Sequence, residues 1–338
     1  MGKMLLFYSL IFICSFTPFN NAKENTSSFV TYSLDGGRFG DQLVNYMKAL
    51  WVSYKYEIPL LYRPFIYSDQ LELSEAHAPL MDNENVENIR KIEIKDNLKF
   101  LEENRDDGVP TLYLISFRSH VLNDEDWENE VFRKKLTEVI RPKGNIEPIG
   151  LPSDRLTIAI HVRSQNNRFD TPLEIEQMPT KFPPHSFYLN GLKQIANHFE
   201  GHPLYVYIFT DDPQPQLIRD KYIRELKNWK IDNDVIIHCR ESKNDHDINV
   251  LEDFFNMMQF DCVIHPDSMF SLSVCCVSGP IVEVTAPAWN YCRRDEQNHI
   301  IKDKEGNVIV DNLIYFRPEK GKPSSGTCFA LIEQDMLF

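Results

Sequence analysis

Residues Phe29 to Leu34 form an apolar run that reads as a strand, and Asp35-Gly36-Gly37-Arg38-Phe39-Gly40-Asp41 follows as a glycine-rich turn. From Gln42 to Lys55 apolar residues return at Leu43, Met47, Leu50 and Val52, the spacing of one helix face. Strand, glycine turn and helix open an α/β unit. The turn itself has two readings: a tight bend that needs positive φ at glycine, or backbone brought close to a ligand at Gly36, Gly37 and Gly40. Leu60-Leu61-Tyr62 and Thr111 to Phe117 are further strand candidates, with mixed helix and loop signals between them. Pro142, Pro148 and Pro152, with Gly144 and Gly150, then punctuate the chain and mark a domain boundary.

From Leu156 onward the pattern becomes regular. Strand candidates fall at Leu156–Val162, Leu204–Phe209, Val235–His238, Cys262–His265 and Ile281–Val284, with helical stretches between most of them. Short β-branched strands alternating with helices predict a parallel sheet covered on both faces, whose ligands bind at the carboxyl ends of the strands. The expected organisation is an N-terminal α/β domain at 29–152, a Rossmann-like domain at 153–300, and a C-terminal hairpin and tail at 301–338.

Polar residues gather at those predicted strand ends. His161 and Arg163 leave the first strand two positions apart and so share a face, while Ile160 and Val162 point the other way. Arginine presents a planar fork suited to phosphate oxygens, and an imidazole can hydrogen-bond phosphate, ribose or base; a satisfied core histidine beside a surface arginine is the plainer alternative. Asp211 and Asp212 follow the second strand, placed either to orient Arg163 or bind ribose, or to cap the next helix or turn. As a metal site the pair lacks a third carboxylate at useful spacing. Asp253 lies on the apolar helical stretch Ile248 to Met258, and Ser268, Phe270 and Ser271 stand where the next helix begins. Free N–H groups there suit a phosphate, and Ser268 also suits plain N-capping.

Composition narrows the partners. A chain of 338 residues, 42% hydrophobic and 25% charged, is long enough for two α/β domains. Its formal net charge of −14 argues against nucleic acid as a partner, so a bound phosphate needs a local cluster of donors. The leader, 1–22, places Lys3 before an apolar run from Met4 to Phe16, which fits a signal peptide or a short uncleaved anchor. Of seven cysteines, Cys14 lies in that leader; the others show no Cys-x-x-Cys zinc framework, and Cys292 with Cys328 is the first pair to test for a disulfide. Asn25-Thr26-Ser27 is formally a glycosylation acceptor.

The same stretches resemble the fucosyltransferase superfamily, the α-1,2 branch most closely. Gly36-Gly37-Arg38-Phe39-Gly40-Asp41-Gln42-Leu43 is similar to that branch's Gly-Gly-Leu-Gly-Asn-Gln-Leu opening, and Ile160-His161-Val162-Arg163 resembles its His-x-Arg-Arg motif. Phe209-Thr210-Asp211-Asp212, Asp253 to Met258, Ser268-Met269-Phe270-Ser271 and Pro287-Ala288-Trp289 follow in the family's order, resembling Phe-Ser-Asp-Asp, Asp-x-x-x-Met, Ser-Thr-Phe-Ser and Pro-x-x-Trp. The resemblance implies a GT-B fold of two Rossmann-like domains, GDP-fucose as donor, a galactose-containing oligosaccharide or glycoconjugate as acceptor, inversion, and no metal or other cofactor. It implies that His161 and Asp253 meet the guanosine, that Arg163 meets the β-phosphate and with His161 carries the catalysis, and that Ser268, Phe270 and Ser271 form the phosphate turn. Membrane association through the leader would follow, in the Golgi lumen of a eukaryote or on the cytosolic face of a bacterial inner membrane. The chain departs from the family at Ser164, where the motif's second arginine is absent, at Gln165-Asn166, at Leu272-Ser273 and at Asp41; Arg168 is a candidate to supply the missing charge.

Overall fold

The computed structural model describes residues 28–80, 89–95, 98–104, 108–122, 124–164, 177–229, 231–241, 244, 249–286, 301–302, 308–310, 312–317 and 328–331. The leader, Asn25, Arg168, Cys292, the side chain of Cys328 and the Pro287-Ala288-Trp289 stretch lie outside them. Among the described residues no helix is long and apolar enough to cross a membrane.

The N-terminal half holds strands β1 (Phe29–Tyr32), β2 (Leu61–Tyr62), β3 (Ala78–Pro79), β4 (Arg90–Ile94) and β5 (Thr111–Ile115). A parallel sheet runs in the order β1-β5-β4, and β2 pairs with β3 while Leu60 bridges Val30. Helix α1 (Phe39–Tyr56) starts three residues before the apolar periodicity predicts. The cause is Asp41, whose Oδ2 accepts the Arg38 N–H at 3.0 Å and closes the first turn. The expected glycine turn is therefore divided. Gly36 has φ +96 and makes the bend, whereas Gly40 already belongs to the helix.

The C-terminal half holds β6 (Leu156–Val162), β7 (Leu204–Thr210), β8 (Val235–Cys239), β9 (Cys262–His265), β10 (Val282–Thr285), β11 (Leu313–Phe316) and β12 (Cys328–Leu331). Their order is β12-β11-β10-β9-β6-β7-β8, with β6 to β10 parallel and the last two strands antiparallel at the edge. The chain builds outward from β6 through β7 to β8, then returns to the other side of β6 for β9 and β10. That reversal puts a topological switch point between β6 and β9.

Side-chain alternation along β6 accounts for both layers. Ile158, Ile160 and Val162 pack with Phe187, Tyr188 and Leu192 of helix α3 (His185–His198), while Ala159 faces the opposite way. On that opposite face lie α1, α2 (Glu130–Val139), α5 (Val250–Met257) and α6 (Met269–Ser278), and α4 (Pro215–Leu226) packs beside β7 and β8. One apolar cluster takes in Val30, Leu43 and Met47 together with Ala159, Phe254, Val263 and Val274, so the two sheets share a core. The 141–155 segment between α2 and β6 is anchored by Asn256, which accepts the Ile149 N–H at 2.8 Å and donates to Glu147 O at 2.9 Å.

Gly40 joins the halves most closely. A Cβ there would stand 2.6 Å from Phe270 Cα, because the first turns of α1 and α6 press directly on each other. Gly40→Ala should therefore lower stability by about 1–3 kcal/mol, read by urea denaturation, since backbone rather than a flexible side chain would have to move.

Candidate functional site

A cavity of about 370 Å³ opens at the carboxyl ends of β6, β7 and β9, at the switch point. Gly36, Gly37 and Gly40 line it, as do His161 and Arg163 at the end of β6. Asp211 comes from the end of β7, Asp253 from α5, and Ser268 and Phe270 from the start of α6. Nine of the eleven residues expected at the site thus line one space. Rings in edge-to-face and tilted contact brace it: His161 lies 5.4 Å from Phe270, and Phe270 and Phe39 lie 5.9 and 5.6 Å from Phe254. Ser268 occupies the N-cap position of α6, yet its side chain makes no capping hydrogen bond. The simple capping role does not hold.

Asp212 and Ser271 are the two that fall elsewhere. Asp212 accepts the Ser164 hydroxyl at 2.7 Å through one oxygen and the Gln214 N–H at 2.8 Å through the other, the turn role that its position also allowed. Ser271 is fully buried and donates to Ser268 O at 3.3 Å, beneath the turn rather than in the cavity. Ser164 is buried as well, and its N–H donates to Asp211 Oδ1 at 2.6 Å. It stitches the ends of β6 and β7 where the resembling motif has an arginine.

Arg38 and Lys181 line the cavity without having been expected there, and Arg240 stands behind Asp253. Arg240 follows β8 directly and donates to Asp253 Oδ1 at 2.6 Å and Glu252 Oε1 at 2.8 Å. Burial pushes the Asp253 carboxyl up to about 6, against the pull of Arg240. The strand-end rule that picks out Arg163 would have found Arg240 too, had it been applied to β8. Lys181 lines the cavity from the loop before α3 and carries no such signal.

Among the described residues one group has metal-ligand chemistry: His265, Cys275 and Glu283, all buried and all outside the cavity lining. Its carboxylate is committed, with Oε1 3.1 Å from His265 Nε2 and Oε2 accepting Arg317 at 2.6 Å. Burial opposes ionisation of Glu283, but His265 and Arg317 outweigh it and hold the carboxyl at about 2. The arrangement is an ion-pair network. Cys239, Cys262, Cys275 and Cys276 are buried free thiols.

No protein-family model and no curated protein sequence matches the chain. A point variant of Arabidopsis thaliana FUT1 in complex with GDP superposes with TM-score 0.50 at 11% identity, covering 87% of this chain and 75% of that one. The architecture is GT-B. POFUT1 in complex with GDP-fucose aligns with TM-score 0.43 at 12% identity, over 76% of this chain and 95% of its own. NodZ alpha-1,6-fucosyltransferase soaked with GDP-fucose aligns with TM-score 0.43 at 14% identity, over 78% and 97%.

Because Ser164 is buried and bonded to Asp212, Ser164→Ala should cost about 1.5–3 kcal/mol of stability, measured by chemical denaturation. A change under about 0.5 kcal/mol, the range of an ordinary surface substitution, would show that the stitch is dispensable.

Proposed function

We propose that the chain is a glycosyltransferase that moves fucose from GDP-fucose to a hydroxyl of a galactose-containing glycan, with inversion and without a metal. One observation carries this reading: Arg163 and the N-termini of α1 and α6 converge on a single cavity at the switch point of an otherwise strongly acidic chain. Helix N-termini offer free N–H groups and partial positive charge, and a guanidinium offers a fork, which together suit a diphosphate.

On this reading the guanosine lies by His161 and Asp253, and the phosphates lie between Arg163 and the Ser268–Phe270 turn. Breaking the bond from sugar C1 to the β-phosphate oxygen leaves an oxocarbenium-like sugar and a more anionic diphosphate. A cation already in place in a water-poor cavity stabilises that charge without reorganising, and Arg163 has this task. The acceptor hydroxyl attacks C1 from the opposite face. The leader supports a membrane-associated or secretory location for the enzyme.

Buried Ser164 favours one competing reading, a weakly catalytic nucleotide-sugar or glycan binder, because it leaves the motif with one arginine. GDP release from GDP-fucose, GDP-mannose and a UDP-sugar, each with a galactose-terminated acceptor, separates the possibilities. Turnover of GDP-fucose alone supports the proposal; turnover of another donor, or binding without turnover, replaces it. Arg163→Ala should abolish transfer and leave thermal unfolding nearly unchanged, since Arg163 stands at a strand end; equal loss of both would make it structural.

Asp253 adds a pH signature. Its carboxyl ionises near pH 6 in the folded chain rather than near 3.8, and guanine presents neighbouring N–H donors that the ionised form accepts through both oxygens, whereas protonation turns one oxygen into a donor. Guanosine affinity should fall as pH drops through about 6, and Asp253→Asn should remove that step in an isothermal titration series. Guanosine is the proper probe because a terminal phosphate itself titrates near ~6.

A further inference from the structure

Arg240 joins a strand end to the helix that carries Asp253. It follows β8, the edge strand of the large sheet, and Gln216 Nε2 of α4 donates to its carbonyl at 3.1 Å and to Glu241 O at 2.7 Å, so the backbone there is held in place. Its side chain reaches α5, where Nη2 donates to Asp253 Oδ1 at 2.6 Å and Nη1 to Glu252 Oε1 at 2.8 Å. The side chains of Arg240 and Asp253 are 17% and 18% exposed, so solvent screens the pair only in part. Of the three residues in this cluster, Asp253 alone lines the cavity. Arg240 therefore reaches an occupant of the cavity through Asp253.

We propose that Arg240 is a specificity-determining positioning residue, which holds Asp253 as a pure hydrogen-bond acceptor and so makes the cavity select a guanine base over adenine. The inference rests on the GDP-sugar reading, in which Asp253 meets the base. Guanine offers two adjacent donors, N1–H and the 2-amino group, which match a carboxylate. Adenine offers an acceptor at N1 beside its 6-amino donor, which matches a carboxylic acid that donates through one oxygen and accepts through the other. A single proton on Asp253 thus exchanges the preferred base. Burial brings that proton close, because it pushes the carboxyl up to about 6 even with Arg240 pulling the other way. A neighbouring cation lowers a carboxyl by about 1–3 pH units, so without Arg240 the midpoint would reach or pass neutrality. The other groups coupled to this carboxyl are Glu252, which raises it, and the Tyr207 phenol of β7, which burial keeps neutral; His161 lines the same cavity from β6.

The test is calorimetric titration of GDP and ADP into the full chain, for wild type, Arg240→Gln and Arg240→Lys, reading the ratio of the two affinities so that ionisation of the phosphates cancels. Wild type at neutral pH should prefer GDP by about tenfold or more, and Arg240→Gln should lose about tenfold of that preference, the scale of a hydrogen bond to a charged group. In Arg240→Gln the preference should return as pH rises from about 7 to about 8.5 and Asp253 ionises, while Arg240→Lys, which keeps the charge, should stay within about threefold of wild type. Wild type itself should lose the preference as pH falls through about 6, and Asp253→Asn should be flat over that range. A wild-type chain that binds GDP and ADP alike, or an unchanged ratio in Arg240→Gln, overturns the inference. A preference lost equally at both pH values marks a structural arginine and overturns it, as does an acid fall that persists in Asp253→Asn and so belongs to His161. A wild-type chain that binds no GDP overturns the nucleotide-sugar reading itself.

Discussion

The contact on which this structure turns is the meeting of two helix starts. Gly40 in the first turn of α1 lies so close to Phe270 in the first turn of α6 that no side chain fits between them. Each helix belongs to a different sheet system, so their contact sets how near the two sheets stand and makes their apolar faces one core. It also aims two sets of free backbone N–H groups at the same space. A wider separation would leave two ordinary helix ends and no shared cavity.

Around that contact the acidic character of the chain is managed by pairing. Asp253 and Glu252 are held by Arg240, and Glu283 and Glu128 by Arg317, with Arg133 on Glu128 as well. Arg317 follows β11 while Glu128 precedes α2, so the second network ties the edge of the large sheet to the N-terminal half. Removing Arg240 would leave the carboxylate of Asp253 without its arginine in a setting that already disfavours ionisation, a larger cost than the pair gains in isolation. Asp211 and Asp212 are occupied by Ser164 in a similar way. Arg163 and Lys181 line the cavity together with the first residues of α1 and α6.

Much of the fold was legible because it depends on local pattern. The strands β6 and β9 coincide with their apolar runs, and the other strands of the parallel sheet shift by a residue or two, since buried parallel strands must be continuously apolar. His161 and Arg163 could be assigned to one face from the two-residue period of a strand, and the carboxyl-end rule for parallel sheets placed them at a site. The start of α1 was missed because an aspartate closing a turn three residues back leaves no trace in hydrophobic spacing.

The amino-acid pattern alone indicated which residues could gather at a strand-end ligand site: the glycine segment, the strand-end arginine and histidine, Asp211, Asp253 and the Ser268 turn. Tertiary structure alone decided which of them face the cavity. It turned Asp212 and Ser271 into internal ties, assigned Gly40 to helix contact rather than to a bend, and brought Lys181 into the lining of the same cavity as Arg163. The reason is physical: strand and helix periods report the direction of a side chain within its own element, while the partner it meets depends on how separate elements pack.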